Sequence, residues 1–177
     1  PHEAGRRKRL EIGEDEMFAR TERLLLRPAW TEDAAMIATL ADSERKVRDL
    51  FGADGSCSIV APCALDACCH PRELPRLLVM KRTSGAPELI GIAGLVRNRA
   101  GEVELLCWIA RPHRGKGYGT EAAKAILDIA ERGLRLPRVK APYSGRAGSF
   151  PQRLGFEGSD LVFDTARAAQ AVEARAA

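Results

Sequence analysis

Residues 102–133 read EVELLCWIARPHRGKGYGTEAAKAILDIAERG. The segment begins with a strand pattern, Val103 to Ala110, in which Val103, Leu105, Cys107 and Ile109 alternate with Glu104, Leu106 and Trp108. Apolar residues fall on both sides of the alternation, so a central strand covered on two faces is predicted. A basic, glycine-rich turn follows, made of Arg114, Gly115, Lys116, Gly117, Tyr118 and Gly119. Behind it a helix is predicted, with Ala122, Ala125, Ile126, Ile129 and Ala130 at helical spacing and Gly133 as its C′ stop. Strand, glycine turn and helix N-terminus together make an anion site. Small residues let backbone N–H groups turn inward, and the helix dipole favours negative charge there. The turn lacks the GxxxxGK[ST] pattern of a Walker A loop and the GxGxxG of a dinucleotide fold, since its glycines fall as GxGxG. A phosphate grip would fall to the N–H groups of Gly115, Gly117, Gly119 and Thr120, with Arg114 and Lys116 adding charge. A solvated basic turn is the plainer alternative for those two side chains.

The rest of the chain sets bounds on that site. At 177 residues, with 45% apolar and 29% charged side chains, one globular domain with a single core is expected. No apolar run reaches the length of a membrane span, and residues 1–20 (RRKR, then EIGEDE) lack the apolar centre of a signal peptide. The expectation is a flexible or appended segment over 1–20, one domain over 21–177, a cytoplasmic location and no membrane partner. A net charge of +4 suits capture of a polyanion. Aromatic residues are only 5% and no basic–aromatic repeat occurs, which argues against nucleic acid. The cysteines are Cys57, Cys63, Cys68, Cys69 and Cys107, the first four close to His70. No CxxC pair is present, and the adjacent Cys68 and Cys69 are poorly placed to ligate one ion. No metal is expected.

Taken in order, Thr21 to Pro28 (TERLLLRP) reads as a strand closed by proline. Thr31 offers an N-cap with Glu32 and Asp33 in the first turn, and Met36, Ile37, Leu40 and Ala41 supply that helix's buried face. Residues 43–75 carry no readable pattern. Leu77 to Thr83 and Leu89 to Val96 read as a hairpin across Ser84–Pro87, and residues 98–101 turn the chain into the central strand. Arg138 to Tyr143 is a short strand expected to run parallel to the central one. A helix ending at Leu154-Gly155-Phe156 comes next, then one strand up to Asp164.

Three of these features carry a family resemblance. Arg114-x-x-Gly117-x-Gly119 resembles the acyl-coenzyme A pyrophosphate loop of the GNAT superfamily of N-acetyltransferases. The run TERLLLRPAWTEDAAMIATLAD (21–42) resembles the opening of the GNAT branch containing the ribosomal-protein N-terminal (alanine/serine) acetyltransferases. Leu154-Gly155-Phe156 resembles the K-L-G-F signature after the family's last helix. The resemblance implies an α/β (α+β) fold with a mixed, mostly antiparallel sheet flanked by helices. It also implies a splayed parallel strand pair holding the cofactor's pantetheine arm. Acetyl-coenzyme A is then the co-substrate, bound along Trp108, Ile109, Ala110, Arg114, Gly115, Lys116, Gly117, Tyr118, Gly119 and Thr120. The acceptor is a primary amine, on a protein N-terminus or a small molecule, and the chain acts as monomer or homodimer. A binding module that holds acyl-coenzyme A without turnover is the alternative.

Departures concern the last helix. Counting back from Gly155, the family's Asn falls on Ser144 and its Ser on Ala147, with Ser149 reached only by a two-residue deletion. Pro151 stands where the helix should continue, at a cost of about 3 kcal/mol in a helix interior. Transfer from a thioester needs a still substrate, a polarised carbonyl, a deprotonated amine and a protonated thiolate. A strand N–H near Trp108 to Ala110 is assigned the carbonyl. Glu104 is the candidate base, since a carboxylate among apolar neighbours is expected to titrate high, against the reading of a structural ion pair. Tyr143 is the candidate proton donor, with Ser144 and Ser149 behind it. His113 reads as a surface residue, and Cys107 lacks any neighbour in sequence that would activate it as a nucleophile.

Overall fold

The computed structural model describes residues 18–43, 74–98, 100–141, 150–157 and 162–164. Among these residues seven strands form one sheet in sequence order: β1 (Ala19–Arg20), β2 (Leu24–Arg27), β3 (Arg76–Lys81), β4 (Glu88–Arg97), β5 (Val103–Ile109), β6 (Arg138–Lys140) and β7 (Val162–Asp164). All neighbours are antiparallel except β5 and β6, which run parallel. The helices among the described residues are α1 (Ala34–Ser43), α2 (Tyr118–Asp128) and, as far as it is described, α3 (Phe150–Leu154). This is the mixed, mostly antiparallel arrangement that the family resemblance implies.

The sheet is buried on both faces because β5 alternates two apolar sets. Leu105 and Ile109 join Ala122, Ala123, Ile126 and Leu127 of α2 in one core. Trp108 and Ala110 join Ile37 of α1 with Leu78, Met80, Leu89 and Ile92 in the other. The alanines of α2 let the helix sit close to the sheet, and each fully buried Leu or Ile adds about 1.5–3 kcal/mol over leaving it exposed. α1 contributes less than its pattern suggests. Ile37 is buried but Met36 is 39% exposed, because only one stripe of this short helix meets the sheet.

Two local expectations change. Thr31 does not cap α1. A 3₁₀ turn over Thr31–Asp33 precedes the helix, and the Asp33 carboxylate accepts the Trp30 N–H at 2.8 Å. Nor does Gly133 stop α2 in the left-handed region. The helix widens into a π turn over Ile129–Gly133, and the positive φ comes later, at Arg135 (φ 50). Pro151 is the second described residue of α3, and the residues before Phe150, which decide whether it stands in a first turn or a helix interior, lie outside the described residues. The C-terminal end of α3 closes as a Schellman motif. Phe156 donates to Pro151 O, Gly155 donates to Gln152 O (both 3.1 Å), and Gly155 has φ 89.

One feature of the sheet positions the site. β4 and β5 pair from Gly91↔Ile109 to Arg97↔Val103, whereas β5 and β6 register only at Glu104↔Lys140. Beyond Glu104 the β6 side of β5 has no strand partner among the described residues.

Candidate active site

The edge of β5 that is unpaired among the described residues has a definite chemistry. Ala110 N–H donates to Ile90 O at 2.8 Å, so this pair exchanges hydrogen bonds with β4. Antiparallel alternation sends Trp108 the same way and turns the backbone of Cys107 and Ile109 toward the gap. Consistent with this, Ile109 O is met from the gap side by Arg114 Nε at 2.7 Å. Of the segment expected to polarise a carbonyl, Ile109 offers its N–H to the gap. Trp108 and Ala110 do not, because theirs are spent on β4.

The chain then passes through a 3₁₀ turn, Arg111–His113, into the glycine loop. Gly115 (φ 74) and Gly117 (φ 84) occupy the left-handed region, which glycine enters without strain. Gly117 caps α2 with no side-chain hydrogen bond. Helix geometry leaves the N–H groups of Tyr118, Gly119 and Thr120 without intrahelical acceptors, since the first helical bond is Glu121 N–H to Gly117 O at 3.1 Å. Gly119 has a packing role: a Cβ there would lie 3.6 Å from Ile109 Cγ1 and 3.9 Å from Cys107 Sγ. Of the two basic side chains, Lys116 Nζ reaches Pro112 O at 3.0 Å, and the Arg114 guanidinium also lies 5.8 Å from the Trp108 ring centre. Both fold back on the loop, which shapes it as well as charging it.

A set of residues that the motif reading missed holds this loop from outside. Thr21 and Arg23, in the turn between β1 and β2, converge on Glu121 in the first turn of α2. Burial pushes the Glu121 carboxyl up, but hydrogen bonds from Thr21 and from Arg23 outweigh it, and the net pKa lies below the ordinary carboxylate value. Nothing in the local sequence signals a contact across roughly a hundred residues. The one available hint was the presence of both segments in the same family pattern.

The candidate catalytic groups are unequally placed. Glu104 is half-buried on the α1 face of β5, and Asn98 Nδ2 donates to its Oε1 at 2.8 Å. At ~3.3 Å of rise per residue it lies roughly 10 Å from Cys107 and about 16 Å from Ile109 along the strand. Direct contact between Glu104 and a group held by the Ile109 N–H is excluded at that separation. Trp108 shares the Glu104 face, and its indole N–H is buried without a hydrogen-bond partner among the described residues. Burial raises the Cys107 thiol to a pKa of about 12, and its S–H contacts Gly119 O at 3.5 Å. Burial thus keeps the thiol protonated near neutral pH, which disfavours it as a nucleophile. His113 is less exposed than a surface residue would be. Its Nε2 lies 3.3 Å from Glu88 Oε1, tying the turn to the start of β4. Tyr143, Ser144, Ala147, Ser149 and the cysteine-rich residues 57–70 lie outside the described residues. Among the described residues no three His, Cys, Asp or Glu side chains cluster as a metal site, and no helix is long and apolar enough to cross a membrane.

Among the described residues, then, an unpaired strand edge leads into a left-handed glycine loop and an open helix N-terminus. Residues 23–146 match the acetyltransferase (GNAT) domain family, and the chain belongs to that family. A comparison with curated proteins gives no significant sequence match. Among solved structures, an acetyltransferase from Agrobacterium tumefaciens is 28% identical with a TM-score of 0.55, over 84% of this chain and 88% of that one. A ribosomal-protein-S5-alanine acetyltransferase from Vibrio fischeri is 16% identical with a TM-score of 0.61, covering 81% of this chain and 85% of the other. The microcin C7 self-immunity acetyltransferase, solved with acetyl-CoA and AMP, is 14% identical with a TM-score of 0.58, covering 81% and 89%. The last two likenesses are of fold.

Proposed function

We propose that this chain transfers an acetyl group from acetyl-coenzyme A to a primary amine by direct attack, without an acyl-enzyme intermediate. The observation that carries the reading is the edge of β5, unpaired beyond Glu104 among the described residues and continuing into the Gly115–Gly117 loop. The pyrophosphate fits the N–H groups of Gly115, Gly117, Tyr118, Gly119 and Thr120, with Arg114 and Lys116 beside them. The pantetheine arm fits the gap between β5 and β6, where its amides would meet the backbone of Cys107 and Ile109. A gap-facing N–H of β5 then polarises the thioester carbonyl.

The high pKa of Cys107 supports direct attack. Positioning supplies most of the acceleration, since an amine held against a fixed thioester needs only to lose a proton. Glu104 takes that proton through water, because the strand length separates it from the Ile109 N–H. Tyr143 or Ser144 returns a proton to the departing thiolate. The acceptor class stays at primary amines, a protein N-terminus and a small-molecule amine alike.

The test has two readouts on one preparation. Acetyl-coenzyme A is expected to raise the melting temperature saturably, and free thiol is expected to appear when a panel of peptides and small amines is added. Binding with no thiol release from any acceptor would leave the non-catalytic module as the better reading. Absence of any thermal shift would remove both.

A further inference from the structure

We propose that Arg23 and Glu121 are positioning residues that select which way the Lys116–Gly117 peptide faces, and so aim the Gly117 N–H at the coenzyme's pyrophosphate. The proposal rests on the acetyl-coenzyme A reading above. Arg23 Nη1 donates to Lys116 O at 3.0 Å across the outside of the loop. A trans peptide is planar, with its C=O and N–H on opposite sides. Holding Lys116 O toward Arg23 therefore turns the Gly117 N–H to the other side, away from the brace. The loop needs such a selector. With Gly115 at φ 74 and Gly117 at φ 84, it is built from residues that pass between backbone basins at little cost. Left alone it would populate both faces of that peptide, and only one presents a donor to an anion.

Arg23 can act as a selector because it is itself held. Its Nε and Nη2 both lie 2.7 Å from Glu121 Oε2, and its backbone N–H donates to Glu121 Oε1 at 3.0 Å. Thr21 Oγ1 donates to the same Oε1 at 2.5 Å, and the guanidinium carbon sits 4.6 Å from the Tyr118 ring centre. One side chain thus touches Lys116, Tyr118 and Glu121, and a Cβ on Gly117 would come within 3.2 Å of its Nη2. The carboxylate has a cost that Arg23 removes. Glu121 lies in the first turn of α2, where an unpaired negative charge would repel a polyanion at the helix N-terminus. Arg23 cancels that charge while using it as an anchor. The pair accordingly acts through the loop, without touching the reacting atoms.

The experiment measures the Kd of acetyl-coenzyme A by calorimetry, together with kcat and both KM values. The proteins are wild type, Arg23→Ala, Arg23→Lys, Glu121→Gln and the Arg23→Ala/Glu121→Gln double variant. Arg23→Ala is expected to raise the Kd and KM for acetyl-coenzyme A by about 10- to 100-fold, with kcat at saturation and the acceptor KM within about twofold of wild type. Arg23→Lys keeps the charge but not the two-sided fork, and is expected to fall between the two. The double variant is expected to bind more tightly than Arg23→Ala alone, because the uncompensated carboxylate is gone. An unchanged Kd in Arg23→Ala overturns the proposal. So does a double variant whose loss equals the sum of the single losses, since Arg23 would then be touching the phosphates itself. A uniform fall in kcat across the variants would also overturn it, as the mark of general structural damage. If wild type does not bind acetyl-coenzyme A, the functional reading fails first, which no difference among variants can imitate.

Discussion

Gly117 carries two constraints at once. Its φ of 84 strains any L side chain, and a Cβ there would press on the Arg23 guanidinium at 3.2 Å. Gly117→Val is therefore expected to abolish detectable acetyl-coenzyme A binding while the far-UV dichroism keeps its wild-type shape, because the loop lies outside both cores. Calorimetry on the folded variant checks this, and wild-type affinity would remove the loop from the site. Glu104 presents a different case, since its role depends on water. Glu104→Gln keeps its shape and the Asn98 contact, and is expected to lower kcat by about a hundredfold with acetyl-coenzyme A affinity near wild type. The rate profile against pH should be measured with two acceptors of different basicity. A rising limb that follows the acceptor in both enzymes, with full rate in the variant, would make Glu104 structural. The residue types here were legible in the sequence. The distance from Glu104 to the Ile109 edge was not, because a strand pattern orders side chains by face but does not say where along the strand a substrate stops.

At the scale of elements, a buried ion pair joins β2 to the start of α1. Arg27 Nη1 and Nη2 meet Asp33 Oδ2 and Oδ1 at 2.6 and 2.7 Å, with the two residues 8% and 4% exposed. Arg27 also stacks on Trp30, at 3.9 Å from the ring centre. The Arg27 hydrogen bonds hold the Asp33 carboxyl below its ordinary pKa. A carboxylate depressed in the folded state adds stability above its unfolded pKa, about 3.9, and that contribution disappears as pH falls through the folded value. Asp33→Ala leaves Arg27 buried without its partner, so a loss of about 3–5 kcal/mol is expected at pH 7. The gap between wild type and variant should narrow in denaturation series taken toward pH 2. A constant gap would mean the pair contributes little through charge. β3 and β4 offer a purely steric counterpart. A Cβ on Gly94 would lie 2.2 Å from Pro75 O and 2.8 Å from Arg76 Cα, both backbone atoms that cannot swing aside. Gly94→Ala is expected to cost about 1–3 kcal/mol, read as a lower melting temperature. Proline and acidic residues marked the end of β2 and the helix start in the sequence. That Asp33 turns back to Arg27, leaving Thr31 unused as a cap, depends on a salt bridge that only the folded chain brings together.

For the whole molecule, a net charge of +4 is modest, so capture of a polyanion should depend on salt mainly through the loop. Acetyl-coenzyme A binding is expected to weaken as salt rises from 50 to 500 mM, and Arg114→Ala or Lys116→Ala to flatten that dependence. Parallel salt curves for variants and wild type would place these side chains away from the phosphates. The sequence by itself determined the order of β2 to β7, the two-faced burial of β5 and the glycine loop, whereas the two-residue β1 was too short to leave a pattern. Each of these is local, written in alternation of side chains or in residues that only certain backbone angles admit. Tertiary structure alone decided that β5 and β6 register at Glu104 and Lys140 with no further pairing among the described residues, that Ile109 rather than Ala110 turns its N–H away from β4, and that Arg23 reaches the loop beside α2. These are matters of pairing register and of contact between segments far apart in the chain, and no short-range pattern of residue types encodes which edge of a strand is left without a neighbour.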